Sequence, residues 1–406
     1  MTASTLVRGG EATEAVKTLT AQWYNAVVEG CGLDRNTFQL AQGFIQPGVT
    51  SESLWKIFNA IPPVTVTHYW NPAQINNFSS TYGALVSNLV PQDSGEFQQT
   101  MGDYYARWQN YLQHSTPPPT IPKPGGILEL FNQWQQLNMP PEQGQAAYTA
   151  YQQVSQGVVP IAMQKWLAAG GGASGTKAYN ATVEDLKRIM SQGGPGKSVH
   201  MDSSTTSSDV TNTWAKGEVG GFYEFFVGEA SVEWKKYTEK ISASKLTIDA
   251  TFKTIGTFTC GPLAEPSTDP ILGQYVPWYH SAAVNLAYQN NNYYVWKHTP
   301  PTWDGTFGDK GDLRFFTTSL IVVSGVDTTV SSEASFSEQE QEELTASAQV
   351  GVFPFFEAKG SGGWNHKFKF DDSGRMTVSC SVPPGVFVIL GAIVTPTKDA
   401  FGGGQA

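Results

Sequence analysis

The chain has 406 residues, 40% hydrophobic and 12% aromatic, with a formal net charge of −10. That length favours more than one core. Residues 1–200 carry 11 Lys/Arg against 12 Asp/Glu, and residues 201–406 carry 14 against 23, so the acidic second half repels phosphate backbones and excludes nucleic acid as a partner.

Only 15% of residues are charged, below the roughly 25% usual for soluble domains. Neutral polar and aromatic surface of that kind suits protein contact, glycan stacking or close packing in an assembly. The acidic half also disfavours electrostatic adsorption to anionic lipid, leaving apolar surface as the route to peripheral membrane contact. Cys31, Cys260 and Cys380 are odd in number and widely spaced, which is neither a disulfide framework nor a zinc pattern. The segment Met1–Arg8 lacks the apolar stretch of a signal peptide, and no apolar run reaches about 18 residues. The expectation is a chain made in the cytoplasm, with no transmembrane segment, for which release would follow a non-classical route.

In chain order, Val16, Leu19, Trp23 and Val27 lie on one face of a helix over Glu11–Gly30. Asp34 is placed to cap a second helix holding Phe38, Leu40 and Phe44, ended by Pro47. A short helix over Ser51–Ala60 and a lone strand over Val64–Trp70 follow. Asn71-Pro72 then opens a helix stacking Ile75, Phe78, Tyr82, Leu85 and Leu89. Further helices are expected over 94–113, Gly126–Asn138, Pro141–Leu167 (bent or broken by Pro160) and Asn180–Met190. The prolines of Ser115–Gly126 make a stiff connector.

Beyond Val210 the period changes from helical to alternating. Leu246, Ile248, Ala250 and Phe252 alternate with Thr247, Asp249, Thr251 and Lys253, as in a half-buried antiparallel strand. Phe315–Val323, Lys367–Phe370, Met376–Val382 and Val386–Val394 also read as strands, with turns at Asp371–Gly374 and Pro383-Pro384-Gly385. Ser337 and Glu340 form a capping box for a helix reaching about Ala348. The expected fold is α+β with two domains. An α-helical N-terminal domain spans 1–192, a linker 193–209, a mainly antiparallel β-sandwich-like C-terminal domain 210–400, and a flexible tail 401–406.

No catalytic motif stands above background. Gly193–Ser198 ends in Gly-Lys-Ser but has Ser191 where a phosphate loop needs glycine, and it follows a helix. Ser174 misses the nucleophile-elbow spacing by one residue. Cys260 would need an activating imidazole, from His280 or His298. The six histidines show no metal-binding spacing, and Asp304, Asp309 and Asp312 fit a solvated turn better than a cation loop. No cofactor or metal is expected.

The segment Pro277–Asp304 is the densest in aromatic residues. Its Trp278, Tyr279, His280, Tyr294, Trp296, His298 and Trp303 are the candidate ligand- or partner-binding residues. Flat rings beside imidazole and amide groups suit glycan recognition and protein interfaces alike, and alternate members also suit core filling. The expected function is non-enzymatic binding and self-assembly through aromatic, weakly charged surface, with glycan, protein or a second copy as partner. One alternative is a membrane-active, pore-forming toxin-like protein, since Val326–Phe353 is rich in Ser, Thr and Glu, although Glu338, Glu340, Glu342 and Glu343 suit a helix better. A second is an enzyme with a His/Asp or Cys/His pocket in the β domain.

Overall fold

A computed structural model describes residues 14–45, 50–59, 78–90, 95–117, 119–120, 122, 126–154, 157–168, 179–180, 182–208, 237, 240–241, 243–261, 279–290, 295–297, 301–308, 311–346 and 365–397. The sequence-expected strand at Val64–Trp70 and the tail 401–406 lie outside these residues.

Helix α1 (Glu14–Cys31) buries Leu19, Trp23, Tyr24 and Val27, the face its spacing announces. The next element corrects the sequence expectation. Phe38–Ile45 is strand β1, not a helix. The Asp34 carboxylate accepts from the Asn36 backbone N–H at 2.9 Å and closes a local turn instead of capping a helix. Phe38 and Leu40 then recur every second residue and point into one core.

Helices α2 (Ser51–Phe58), α3 (Phe78–Asn88), α4 (Gly95–Met101), α5 (Tyr104–His114), α6 (Gly126–Asn138), α7 (Pro141–Val154), α8 (Val158–Ala168) and α9 (Val183–Ser191) follow. The helix expected over 94–113 is therefore two, separated at Gly102-Asp103. The one expected over 141–167 is also two, and Pro160 sits in the first turn of α8, where its missing N–H costs little. Helix α9 starts in a reciprocal capping box between Thr182 and Asp185.

Six strands form one antiparallel sheet in the order β1-β6-β4-β3-β2, with β5 also paired to β6. They are β1, β2 (Lys197–Asp202), β3 (Leu246–Thr259), β4 (Phe315–Ser335), β5 (Asn365–Phe370) and β6 (Arg375–Pro396). Strand β2 lies within the stretch expected as a linker, and β1, from the helix-rich half, is hydrogen bonded to β6 from the strand-rich half. Helices α10 (Ser281–Gln289), α11 (Pro301–Phe307) and α12 (Glu338–Ala346) interrupt the strands, α12 where the Ser337 capping box places it.

Strands β4 and β6, at 21 and 22 residues, are far longer than the usual 5–6. The two strands expected either side of Pro383-Pro384-Gly385 are one, because both halves pair with β4: Val326 faces Val382, and Ser324 faces Phe387. The intervening residues bulge out. Gly385, at φ +90, supplies the left-handed backbone there and donates its N–H to Ser324 Oγ at 2.9 Å.

Alternation along the central strands separates two cores. Ile321, Val323, Val388 and Leu390 join α1 on one face, while Leu320, Val322 and Ile389 join Leu54 and Phe58 of α2 and Leu186 and Met190 of α9 on the other. A third core gathers α3, α8, α10 and α11 around Tyr82 and Trp296, and Phe316 of β4 packs against it. A fourth, of α4–α7, centres on Trp108, Phe131 and Tyr151, whose rings lie 4.8–6.2 Å apart. Among the described residues the strands form a single, unclosed sheet with helical layers.

Candidate functional site

Five segments bring aromatic rings to one end of the sheet. Phe58 ends α2, Phe78 begins α3, Tyr179 precedes α9, Tyr279 precedes α10 and Phe316 lies near the start of β4. Phe78 is 5.4 Å from Tyr279 edge-on and 6.0 Å from Phe316 in a stacked arrangement, and Phe58 is 5.6 Å from Tyr179. These rings wall a cavity of about 350 Å³ whose other described lining residues are Asn180, Thr259, Cys260, Gly261, Thr317 and Thr318. The rim is fixed by paired bonds: Asn180 N–H donates to the Gly261 carbonyl and Gly261 N–H to Asn180 Oδ1, both at 2.8 Å. Thr259 and Ser319 hydroxyls meet at 2.7 Å.

Among the described residues, none in that lining carries a formal charge. Burial raises the Tyr179 and Tyr279 phenols and pushes the Cys260 thiol up, so all three are protonated at neutral pH. Cys260 thus lines the wall as a neutral thiol. His280 is buried behind Tyr279, and its backbone N–H donates to Tyr82 Oη at 2.8 Å. Burial first, then the Lys165 cation, lower its imidazole to about 4; burial lowers Lys165 itself to about 8.

Of the other sequence candidates, Trp296 is buried in the third core and donates its indole N–H to the Asn290 carbonyl at 2.7 Å. Trp303 is half-buried against the same core and donates to the Tyr288 carbonyl at 3.0 Å. Trp278, Tyr294 and His298 lie outside the described residues. Tyr279 alone of the described candidates lines the cavity. Its partners Phe58, Phe78, Tyr179 and Phe316 come from distant segments that share no local motif. Their common signal is an aromatic residue at or beside an element terminus.

A His/Asp pair is present elsewhere: His200 Nδ1 lies 2.6 Å from Asp249 Oδ1 across β2 and β3, with both side chains about three-fifths exposed. Among the described residues no three His, Cys, Asp or Glu side chains gather as metal ligands. Asp304 lies in α11, and the Asp312 N–H donates to the Gly305 carbonyl at 3.2 Å.

A second concentration of interactions lies at the opposite end of β3 and β4. The chain leaves β2 at Asp202, paired with Thr247 of β3, and leaves β4 at Ser335, paired with Arg375 of β6. Two inserts, 203–245 and 336–374 (the second holding α12 and β5), therefore leave and rejoin neighbouring strands at the same end of the sheet. They meet each other. Lys240 Nζ is 2.8 Å from Glu340 Oε2 and 4.7 Å from the centre of the Phe336 ring, and the Tyr237 hydroxyl bonds the Glu343 carboxylate. Tyr237, Ile241, Phe336 and Leu344 complete the core on the α1 face.

Among the described residues no helix is long and apolar enough to cross a membrane. No family model matches the chain, and no curated protein or solved structure matches it.

Proposed function

We propose that the protein is a self-assembling, membrane-active protein that carries two inserted segments to a lipid bilayer. The observation behind this reading is the placement of inserts 203–245 and 336–374 at one end of four neighbouring antiparallel strands, β2, β3, β4 and β6. Insert 203–245 is long enough for two strands of the roughly 10 residues that a tilted bilayer-crossing strand needs, and insert 336–374, whose β5 already pairs with β6, would reach that length only by converting α12. A backbone in lipid must satisfy its hydrogen bonds internally, which for strands demands a closed barrel. One open sheet cannot close, but several copies joined edge to edge can, with β2 of one copy against the β1/β5 edge of the next. The chain's low content of charged residues, 15%, favours such packing. Dye-filled liposomes of zwitterionic and anionic lipid, tested between pH 5 and 8, are expected to leak as oligomers form. Intact liposomes throughout, with a monomer by light scattering, would overturn the proposal.

A second reading, ligand binding by a non-enzymatic site, is favoured by the ring-walled cavity at Tyr279. A concave, largely apolar pocket with a few polar groups is the usual form of a small-molecule site. The glycan and protein-partner versions of this reading rest on the wider 277–304 segment. A glycan-array and pull-down comparison of the intact protein with a Tyr279→Ala variant tests them, and unchanged binding in the variant would remove Tyr279 from that role.

A further inference from the structure

We infer that the cavity between Phe58, Phe78, Tyr179, Tyr279 and Phe316 binds an uncharged, flat aromatic molecule carrying a hydroxyl or ring N–H donor, of the naphthol or indole kind. This rests on the ligand-binding reading above and is independent of the membrane reading. The volume, about 350 Å³, lies at the small end of the roughly 300–1,000 Å³ range of small-molecule sites, so the occupant has one or two rings. The walls present ring faces and edges, against which another ring stacks or meets edge-on. Among the described residues the lining has no lysine, arginine, histidine or carboxylate, so a charged ligand would surrender its hydration with no counter-charge from them in return.

The polar groups specify the hydroxyl or N–H. Thr318 Oγ1 donates to the Ile393 carbonyl at 3.3 Å and shares one further bond with Thr395 at 3.1 Å. A threonine hydroxyl has one proton and two lone pairs, so at least one lone pair of Thr318 is left to accept a proton from the ligand. Thr259, whose hydroxyl pairs with Ser319, adds a second polar point on the same wall.

Cys260 gives a reporter within the site, because it lines the cavity and is partly exposed while Cys31 and Cys380 are buried. The full-length protein is alkylated with N-ethylmaleimide in the presence of 2-naphthol or of 2-naphthoate, its charged counterpart, and modification is located by peptide mass spectrometry. Saturating 2-naphthol is expected to slow alkylation of Cys260 by about tenfold, and 2-naphthoate to leave it unchanged. A Cys260→Trp variant, which fills the cavity, is expected to weaken 2-naphthol binding by about tenfold in saturation-transfer NMR. Thr318→Val, which only removes the acceptor, is expected to weaken it by about fivefold, and serves if the tryptophan variant does not fold. Equal protection by both compounds would overturn the uncharged-ligand inference while leaving a ligand site. Absence of protection by either would remove the site itself, and unchanged affinity in the folded variants would place 2-naphthol elsewhere.

Discussion

Lys240 places its ammonium 2.8 Å from the Glu340 carboxylate and so ties the chain entering β3 to the helix that follows β4. Glu340 also accepts from the Ser337 backbone N–H at 2.9 Å, which makes one carboxylate both helix cap and latch. The Lys240 side chain is one-third exposed and Glu340 is more buried, so the pair is stronger than an open surface bridge but still screened. Glu340→Gln keeps an acceptor for Ser337 and removes the charge. We expect about 1 kcal/mol of lost stability in urea unfolding, and a similar loss in Lys240→Ala. A double-mutant cycle giving no coupling would show that the two inserts are not latched through this pair. Under the membrane reading the same variants release dye faster than the parent protein.

His280 makes stability depend on pH. Its imidazole titrates near 4 in the folded chain, because it is buried and faces the Lys165 cation, against about 6.5 when unfolded. A depressed folded value means the unfolded chain takes up the proton first. The neutral-His280 contribution is therefore complete above about pH 6.5 and is lost as pH falls toward 4. At about 1.4 kcal/mol per pH unit the loss is about 3 kcal/mol. Urea midpoints from pH 7.5 to 4 should fall more steeply for the parent protein than for His280→Asn. Parallel curves would show that His280 does not carry the effect.

What was legible in the sequence was local. The α1 stripe, the α12 capping box and the Asp371–Gly374 turn are each set by residues within a few positions of one another, and each forms where its residues indicate. Strand β1 was not legible, because Phe38-Gln39-Leu40 becomes a strand through its pairing with Gly391–Ile393 near the other end of the chain. The same holds for Pro383-Pro384-Gly385. Locally it signals a turn, yet β4 supplies partners on both sides and keeps β6 continuous. The aromatic count of 277–304 directed attention to one segment, whereas the cavity takes a single described ring from it and four from elsewhere. Trp296 and Trp303 instead pack on the helical core, where their indole N–H groups find carbonyls.

Gly391 tests the joining of β1 to the long strands. A Cβ at this position would stand 2.3 Å from the Gln39 carbonyl oxygen and 2.5 Å from the Phe38 ring. The oxygen belongs to the β1 backbone, so relief requires the strand itself to move. Gly391→Ala is expected to cost about 2–3 kcal/mol, in the range of core overpacking. Amide exchange should accelerate over residues 38–41, whereas the α4–α7 core around Trp108 should keep its protection. Unchanged exchange across β1 would contradict the close approach of the two backbones.

The cysteines provide a test of the cavity's chemistry that needs no ligand. Burial pushes Cys31 and Cys380 up to about 12, and raises Cys260 as well. A thiol reacts through its thiolate, so well below its pKa the rate gains about tenfold per pH unit, and it levels off only near the pKa. An unperturbed thiol, at about 8.5, would level off by about pH 9.5. Cys260 is partly exposed and the other two are buried, so it should react first with a neutral disulfide reagent. Its rate should still be rising by nearly tenfold per unit between pH 8.5 and 9.5. A plateau below pH 9 would instead reveal a stabilised thiolate. In that case Cys260 would sit beside a positive charge, and the case for an uncharged cavity and against thiol chemistry would fail together.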